Sequence, residues 1–405
     1  MTPAPAAILT LNGGSSSIRF AIYEAGETLE RTLSGKIDRI GRSGTRLLVD
    51  GPAGMAPGGR DLDDGGHREA AGFLLDWLET QPAFSRVAAV GHRVVHGLQR
   101  FEPERVTPGL LDALRAITPL DPEHLPREIE LIEAVGRRHP AWPQVACFDT
   151  AFHRNLPRVA KLLPIPRRYE AVGVTRYGFH GLSYTYLMEE LGRLGDPAAG
   201  SGRVILAHLG NGASLAAVRD GQGIDTSMGF TPASGLMMST RTGDLDPGLG
   251  YYLARTEGMT AAGFQSLVND ESGLLGVSES SSDLRDLLAR EAEDVRAAEA
   301  VALFCYQVKK WIGSFAAALG GLDTLVFAGG IGENAPLVRA RICDGLGFLG
   351  IRIDPARNAG DAARISPDEG PVAVRVLRTD EELMIARSVR RTLGLGREQG
   401  TEENR

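Results

Sequence analysis

Isolated basic side chains in loops of small residues are the first candidates for chemistry in this sequence. Arg241 lies in the segment STRTGDLDP, and His180 lies between Phe179 and a glycine. A single guanidinium among glycines and hydroxyls is typical of a charge that meets an anionic ligand, although a solvated surface arginine has the same pattern. Arg93 follows a short apolar strand, and anion binding and a structural ion pair are both open interpretations of it.

Amide and carboxylate oxygens form a second group of candidates. Asp149 follows the apolar segment at residues 144–148, and open α/β sheets bind ligands just beyond the carboxyl ends of their strands. A helix-capping aspartate is the alternative. Asn12, Asp149 and Glu381 together offer oxygens that suit Mg²⁺, because this ion keeps several waters and takes one or two carboxylates beside phosphate oxygens.

Three glycine-bearing loops follow apolar strands and could hold phosphates. They read LNGGSSS at residues 11–17, HLGNG at 208–212 and GGIGEN at 329–334. Glycine lets a ligand approach backbone N–H groups, which donate to phosphate oxygens, whereas an ordinary hairpin turn is the alternative for HLGNG. The first two loops each lie between two strands, so they predict a duplicated domain with a ligand between the halves.

Regular elements must position these loops. Apolar patterns predict strands on both sides of the first two loops and at residues 87–90, 144–148, 325–328 and 372–377. Helices are predicted at residues 67–80, 108–117, 126–138, 182–191, 294–319 and 383–393, with a further helix beginning at Arg285. Residues 41–66 predict an exposed loop or irregular hairpin, and the polar tail at 396–405 is predicted to be disordered.

The remaining histidines favour structural roles. His92 and His96 have the HxxxH spacing that binds metal when it lies on a helix. Glycines and β-branched valines surround them and disfavour a helix, so we expect no metal there. His124 lies between prolines on a loop, where a ligand contact and a capping role are both open.

Composition limits the classes of function. A chain of 405 residues predicts two domains or more, and a net charge of −7 argues against a nucleic-acid partner. Cys147, Cys305 and Cys343 lie far apart in apolar segments, which predicts buried thiols in a reducing compartment. We identify neither a signal peptide nor a membrane span, so we expect a cytoplasmic protein.

The candidate groups together indicate phosphoryl transfer from a nucleotide, because phosphate loops, fixed cations and Mg²⁺ ligands are the parts that this chemistry needs. Taken as a set, the motifs closely resemble those of the acetate kinase family. The motifs are LNGGSSSIRF, GHRVVHG, FDTAFH, RYGFHG, HLGNGAS, DTSMGFTP, TRTGDLDP, GGIGEN and TDEELMIAR, and they run in order from about residue 8 to 390.

This resemblance implies the actin-like (ribonuclease H-like) fold of sugar kinases, an α/β fold with two duplicated domains and a cleft between them. Residues 1–150 would form the N-terminal domain, completed by the C-terminal helix at about 383–405, and residues 151–382 would form the nucleotide-binding domain. It also implies a homodimer and reversible transfer of a phosphoryl group from ATP to acetate with Mg²⁺ or Mn²⁺. Acetyl phosphate and ADP would form by direct in-line attack of the carboxylate.

The resemblance also implies roles for individual residues. The catalytic residues would be Asp149, His180 and Arg241, the metal ligands Asn12 and Glu381, and the acetate-binding residues Arg93, Val95, Phe179 and Pro232. The nucleotide-binding residues would be Arg19, His208, Leu209, Gly210, Asn211, Gly212, Asp283, Leu284, Arg285, Gly330, Ile331, Gly332, Glu333 and Asn334. Since acetate is already ionised at pH 7, no base is needed, and we expect Asp149 to orient an arginine or the Mg²⁺ shell.

Several positions depart from the family pattern. Glu123 stands where a leucine often lines the acyl pocket, and Tyr184 replaces a histidine in HGLSY. Ser234 and Ser239 replace a common glutamate and glycine around the Arg241 loop. These departures leave the acyl chain open, so a propionate or butyrate kinase is the alternative. A non-catalytic actin-like nucleotide switch is disfavoured by the intact Arg93, His180 and Arg241.

Overall fold

The structure is a computed structural model, and it describes residues 5–14, 17–41, 44–50, 58–62 and 65–395. The chain divides into two compact units. The first unit combines Met1–Ala151 with Asp380–Arg405, and the second is Phe152–Thr379. The prediction for the tail at 396–405, and the two serines at positions 15 and 16, lie outside the described residues.

Each unit is built on one β-sheet. The strands of the first unit are β1 (Ala7–Gly13), β2 (Ser17–Ala25), β3 (Leu29–Asp38), β4 (Arg46–Asp50), β5 (Gly58–Asp61), β6 (Val87–Val94), β7 (Glu104–Arg105) and β8 (Gln144–Phe148). The strands of the second unit are β9 (Arg203–Leu209), β10 (Ala213–Arg219), β11 (Gln222–Thr226), β12 (Thr324–Ala328) and β13 (Ala373–Val376). These sheets, with helices between their strands, confirm the predicted α/β class.

The helices follow the predicted apolar periodicity. Those of the first unit are α1 (His67–Glu79), α2 (Pro108–Ala116), α3 (Leu125–Arg138) and the C-terminal α15 (Glu381–Leu393). Those of the second unit are α4 (Arg158–Lys161), α5 (Gly181–Arg193), α6 (Ala198–Ser201), α7 (Gly248–Thr256), α8 (Ala261–Asp270), α9 (Gly273–Ser278), α10 (Leu284–Arg290), α11 (Val295–Leu319), α12 (Gly329–Asn334), α13 (Pro336–Cys343) and α14 (Pro355–Ala359). No helix in the described part of the chain has the length and apolarity needed to cross a bilayer.

The sheet of the first unit has the strand order β5-β4-β3-β2-β1-β6-β8-β7. Strands β1, β6 and β8 run parallel, while β1 to β5 form an antiparallel meander. The hairpin of β4 and β5 confirms the irregular hairpin predicted within residues 41–66. Because β1, β6 and β8 are parallel, their carboxyl ends lie at one edge of the sheet, where Asn12, Arg93 and Asp149 are found.

Helix α15 packs against strands β1, β6 and β8 of the first unit. Its approach depends on Gly91, since a Cβ there would lie 2.4 Å from Cγ2 of Ile385 and 2.6 Å from Cγ2 of Val389. Real atoms do not approach so closely, so any side chain at residue 91 would push the helix away. The chain therefore returns to its first sheet after completing the second unit.

The sheet of the second unit has the order β11-β10-β9-β12-β13. Strands β9 and β10 form the predicted hairpin, with Leu209 paired to Ala213 next to the turn. Strand β12 runs parallel to β9, so that Ala328 pairs with His208. The two glycine-rich segments that follow these strands therefore lie side by side. Helix α11 covers this sheet with the buried face predicted for it, which comprises Val301, Phe304, Val308, Ile312 and Phe315.

The segment GGIGEN differs from its prediction as a loop. Residues Gly329–Asn334 form the short helix α12, which starts at the end of β12. Gly329 makes the turn with a φ of 76°, and a Cβ there would lie 2.6 Å from the carbonyl oxygen of Leu209. The tight packing of this turn against β9 winds the glycines into a helix instead of an open loop.

Candidate active site

The carboxyl edge of the first sheet holds a buried ion pair. Nη2 of Arg93 donates to Oδ2 of Asp149 at 2.8 Å, and Nη1 donates to the carbonyl oxygen of Gly13 at 3.3 Å. Burial alone would lower the pKa of Arg93, but the negative charge of Asp149 raises it above its ordinary value. The structure shows this ion pair, and both anion binding by Arg93 and the orienting role of Asp149 stay predictions.

A buried glutamate that sequence reasoning missed lies behind this pair. Glu128 of α3 accepts the backbone N–H of Val95 at 3.0 Å through Oε2. Burial raises the pKa of Glu128 to about 8, and the nearby Arg93 opposes that rise. An acidic residue between Leu125 and Ile132 on the apolar face of the predicted helix was the sequence signal for it.

Asn12 and the start of α15 form an oxygen-rich group in the same unit. Nδ2 of Asn12 donates to Oε2 of Glu381 at 2.8 Å and to Oε1 of Glu382 at 3.2 Å. Burial, followed by the charge of Glu381, raises the pKa of Glu382. A cation would relieve this repulsion between neighbouring carboxylates. Arg19 lies opposite Asn12 in the β1–β2 register, and its charge lowers the pKa of Glu382.

This donor set fits a hard cation such as Mg²⁺. Carboxylate and amide oxygens are its preferred ligands, and it keeps waters when only two carboxylates are available. Within the described residues, no group of three or more His, Cys, Asp or Glu side chains is arranged to hold a metal. A cation at Asn12 and Glu381 would therefore complete its shell with water and phosphate oxygens.

Three candidates of the second unit converge on the turn between β9 and β10. A Cβ built on Gly212 would lie 3.4 Å from Nε2 of His180 and 3.9 Å from Nη1 of Arg241. The ring of His208 lies 4.4 Å, centroid to centroid, from that of His180. The loop of Arg241 is tied to the same turn, because the N–H of Ser239 donates to the carbonyl oxygen of Asn211 at 3.2 Å. An imidazole and a guanidinium therefore face one glycine turn.

His180 is held from the other side of its ring. Its backbone adopts a left-handed conformation, φ 60°, at the start of α5. Its Nδ1 lies 2.8 Å from Oγ of Ser214, and that oxygen also bonds the hydroxyl of Tyr184. Sequence reasoning missed Ser214, although its place two residues after Gly212, directly before a predicted strand, was a usable signal.

The helix α12 is held in place by Arg339, a third residue that sequence reasoning missed. This fully buried side chain donates through Nη1 to the carbonyl oxygens of Gly332 at 2.8 Å and Glu333 at 2.9 Å. It also bonds Oδ1 of Asn358 at 2.9 Å and Asp361 at 2.5 Å. A buried arginine on a helix after a glycine-rich segment has no pattern that identifies its partners in advance.

The other predicted residues belong to several elements of the two units. Val95 is buried in the first unit, while Phe179 and Pro232 are buried in the second. The segment of Asp283, Leu284 and Arg285 opens α10, where Asp283 caps the helix by accepting the N–H of Arg285 at 2.9 Å. Ile331 and Asn334 lie on α12, and the carbonyl oxygen of Pro232 is 3.5 Å from Nη1 of Arg241.

The histidines that had alternative interpretations hydrogen-bond to neighbouring protein groups. Nε2 of His92 lies 2.6 Å from Oε1 of Gln144, and burial lowers the pKa of His92 to about 4. Nδ1 of His96 accepts the N–H of Leu98. Nδ1 of His124 lies 2.8 Å from Oδ1 of Asp121, and its side chain makes no capping bond to α3. His92 lies on β6 and His96 follows its end, so the HxxxH segment is not helical.

Comparisons with known proteins agree with this arrangement. The model of the acetokinase family matches residues 7–387. The chain is 46% identical over 397 residues to acetate kinase of Rhodopseudomonas palustris, covering 96% of this chain and 99% of that protein. It is 43% identical over 391 residues to propionate kinase of Citrobacter rodentium, covering 95% and 96%.

A solved structure extends the agreement to the fold. The acetate kinase of Porphyromonas gingivalis superposes with a TM-score of 0.83 at 37% identity, and the match covers 96% of this chain and all of that one. The match of the family model over nearly the whole sequence, the relatives of similar length and the shared fold establish that this chain belongs to the acetokinase family.

Proposed function

We propose that this protein is an acetate kinase, which transfers the terminal phosphoryl group of ATP reversibly to acetate and forms acetyl phosphate and ADP. The convergence of His180 and Arg241 on Gly212 carries this proposal. A phosphoryl group in transfer spreads negative charge over its oxygens. An imidazole and a guanidinium fixed beside one glycine turn stabilise that charge without reorganising.

No residue of the chain needs to act as a base. A small carboxylic acid has a pKa near that of glutamate, ~4.3, so acetate is already an anion at neutral pH. The difficulty is the approach of two anions, which fixed positive charge relieves. Arg93 would hold the acetate carboxylate, and Asp149 would keep its guanidinium in place. Val95, Phe179 and Pro232 would contact the methyl group.

We propose that the second unit binds the nucleotide. The glycine turn at residues 208–212 and helix α12 lie side by side because β9 and β12 are parallel neighbours. Their backbone N–H groups would bind phosphates, and Asp283, Leu284 and Arg285 would contact the rest of the nucleotide. Arg19 would act from the first unit. Each unit would be one actin-like domain, the first being completed by α15.

A divalent cation, Mg²⁺ or Mn²⁺, would be held by Asn12 and Glu381. When bound, such an ion neutralises phosphate charge and orients the phosphate oxygens. The pKa of the neighbouring, partly exposed Glu382 is raised by desolvation and then by the charge of Glu381, and a cation at this place would relieve the second effect. We also propose a cytoplasmic homodimer. Exposed aromatic residues of the second unit, Tyr251, Tyr252 and Tyr306, support the dimer, and three buried free thiols support a reducing compartment.

The length of the preferred carboxylate is the part of this proposal that most needs a test. A relative named propionate kinase matches this chain almost as well as those named acetate kinase. Hydroxylamine converts any acyl phosphate to a hydroxamate, so purified protein with ATP and Mg²⁺ should be assayed on acetate, propionate and butyrate. Acetate should give the largest kcat/KM. ATP hydrolysis without hydroxamate from any carboxylate would contradict the function, and a preference for propionate would change the substrate alone.

Glu123→Leu separates the acyl preference from the reaction. Glu123 is partly buried, and a carboxylate close to the substrate would repel it. If Glu123 faces the acyl group, the leucine variant should show a lower KM for acetate with kcat nearly unchanged. An unchanged KM would place Glu123 outside the acyl pocket. Glu102→Leu, at an exposed acidic position of the first unit, is the control.

A further inference from the structure

A chain of hydrogen bonds leads from the interior of the second unit to His180. The hydroxyl of Tyr184 bonds Oγ of Ser214, and this oxygen lies 2.8 Å from Nδ1 of His180. Tyr184 and Ser214 are both fully buried. The opposite ring nitrogen, Nε2, is the atom that lies 3.4 Å from a Cβ built on Gly212. One nitrogen is therefore bound to the interior while the other faces the glycine turn.

Local structure fixes all three groups. Tyr184 lies one helical turn after His180, and its N–H donates to the carbonyl oxygen of His180 at 3.0 Å. Ser214 lies on β10 opposite His208, two residues after Gly212. Since a helix and a sheet strand carry the two hydroxyls, they hold the imidazole more rigidly than loop residues would.

The direction of the hydrogen bonds follows from the chemistry of the two hydroxyls. A phenol is a stronger acid than an aliphatic alcohol, so its O–H is the better donor and the alcohol oxygen the better acceptor. Tyr184 then donates to Ser214, and this strengthens donation by the serine O–H along the chain. Ser214 donates to Nδ1, which must carry a lone pair, and the ring proton is left on Nε2.

We propose that Tyr184 and Ser214 are positioning residues that hold His180 as its Nε2–H tautomer, so that a hydrogen-bond donor faces the turn at Gly212. The inference deepens the proposed function and rests on it: a donor at Nε2 stabilises a phosphoryl oxygen beside Arg241, whereas a lone pair there would repel it. Tyr184, the tyrosine in HGLSY, therefore positions His180 in this site and is not a replacement without effect for the family's histidine.

The direct test is the tautomer of His180 in the whole protein. With histidine labelled in ¹⁵N, long-range ¹H–¹⁵N correlation spectra distinguish Nε2–H from Nδ1–H rings, and the chain has 8 histidines to resolve. Comparison with His180→Asn assigns the signal. We expect the Nε2–H form in the wild type and a rise of the Nδ1–H form in Tyr184→Phe. An Nδ1–H ring in the wild type would overturn the proposal.

Kinetics give a second readout. Tyr184→Phe should lower kcat roughly fivefold, the effect of about one neutral hydrogen bond, with little change in the KM values. Ser214→Ala should lower kcat further, and Ser214→Thr, which keeps a hydroxyl, should restore most of it. The control is Tyr177→Phe, which removes another buried phenol hydroxyl, 2.7 Å from the carbonyl oxygen of Gly173, and should leave the tautomer unchanged.

These outcomes remain distinct from the proposed function. If the wild type forms no acyl phosphate, the function fails while the ring spectrum is still measured. If the wild type is active but folded Tyr184→Phe keeps both the wild-type tautomer and the wild-type kcat, the positioning role is refuted and the function stands. If Ser214→Ala does not fold, Tyr184→Phe and Ser214→Thr still decide the question.

Discussion

Nη2 of Arg93 donates to Oδ2 of Asp149 at 2.8 Å, and the carboxylate of Asp149 is completely buried. Arg93 is the penultimate residue of β6, and Asp149 directly follows the neighbouring parallel strand β8. Val94 pairs with Phe148 where the two strands end. The arginine retains part of its surface, since 12% of its side chain is exposed. The buried carboxylate of Asp149 therefore accepts a hydrogen bond from a guanidinium group that is itself partly exposed.

Asp149→Asn removes the charge from this pair while keeping its shape. The buried Arg93 would lose its counter-ion, so we expect unfolding free energy to fall by about 3–5 kcal/mol. Turnover should fall and depend more steeply on Mg²⁺ concentration. Urea unfolding and a Mg²⁺ titration of kcat measure both effects. If the variant merely displaced one limb of the pH–rate profile and kept its Mg²⁺ dependence, Asp149 would be a proton-transfer group instead.

Arg241→Ala tests the cation beside Gly212. Losing one preorganised charge contact should lower kcat by roughly 10²–10³, with smaller changes in KM. Steady-state rates of acyl hydroxamate formation measure it. Arg352→Ala is the control, because this arginine of the second unit is exposed and its removal should leave kcat near the wild-type value. Near-wild-type turnover in Arg241→Ala would remove Arg241 from the catalytic set.

Arg339→Lys tests the support of helix α12. Lysine keeps the charge but lacks the fork that reaches Gly332, Glu333 and Asn358 together. The loss of two bonds of about 1 kcal/mol each should raise KM for ATP roughly tenfold or more and leave KM for acetate unchanged. In Arg341→Lys, on the same helix α13 but paired with Glu291, KM for ATP should stay constant. Equal KM values in both variants would mean that α12 does not bind the nucleotide.

Glu128 should make stability depend on pH. Its pKa is raised from 4.5 to about 8 by burial, so the folded protein holds this proton between those values while the unfolded chain has lost it. Unfolding free energy should therefore fall as pH rises from 4.5 to 8, with a contribution of up to about 1.4 kcal/mol per pH unit, and the contribution should level off above pH 8.

Glu128→Gln removes that titration and keeps an oxygen for the N–H of Val95. Urea unfolding in EDTA at several pH values should show a flatter profile for this variant than for the wild type. Glu130→Gln, two residues further along α3 and partly exposed, should keep the wild-type slope. Parallel profiles for Glu128→Gln and the wild type would show that Glu128 is ionised in the folded protein.

The predictions from sequence were accurate for strands and helices whose formation depends on nearby residues in the chain. The hairpin at residues 203–219, the helices with apolar faces and the strand before Asp149 all follow from side-chain periodicity, which depends on near neighbours in the chain. The motifs likewise indicated the acetokinase family, and the comparisons confirm it. The roles assigned to individual residues remain predictions that the variants above test.

Only the tertiary structure shows which side chains form hydrogen bonds with each other and which ones burial keeps from ionising. Glu128 lies 33 residues from Val95, Ser214 lies 34 residues from His180, and Arg339 bonds Asn358, 19 residues away. Such hydrogen bonds depend on how strands and helices pack. The identity of one residue does not indicate which residue elsewhere in the chain will be its partner. The family and the glycine turns could be identified from the order of residues alone, because motifs and turns depend on local chemistry. The fold determined the ionisation, orientation and support of the residues around them, because burial and long-range hydrogen bonds set those properties.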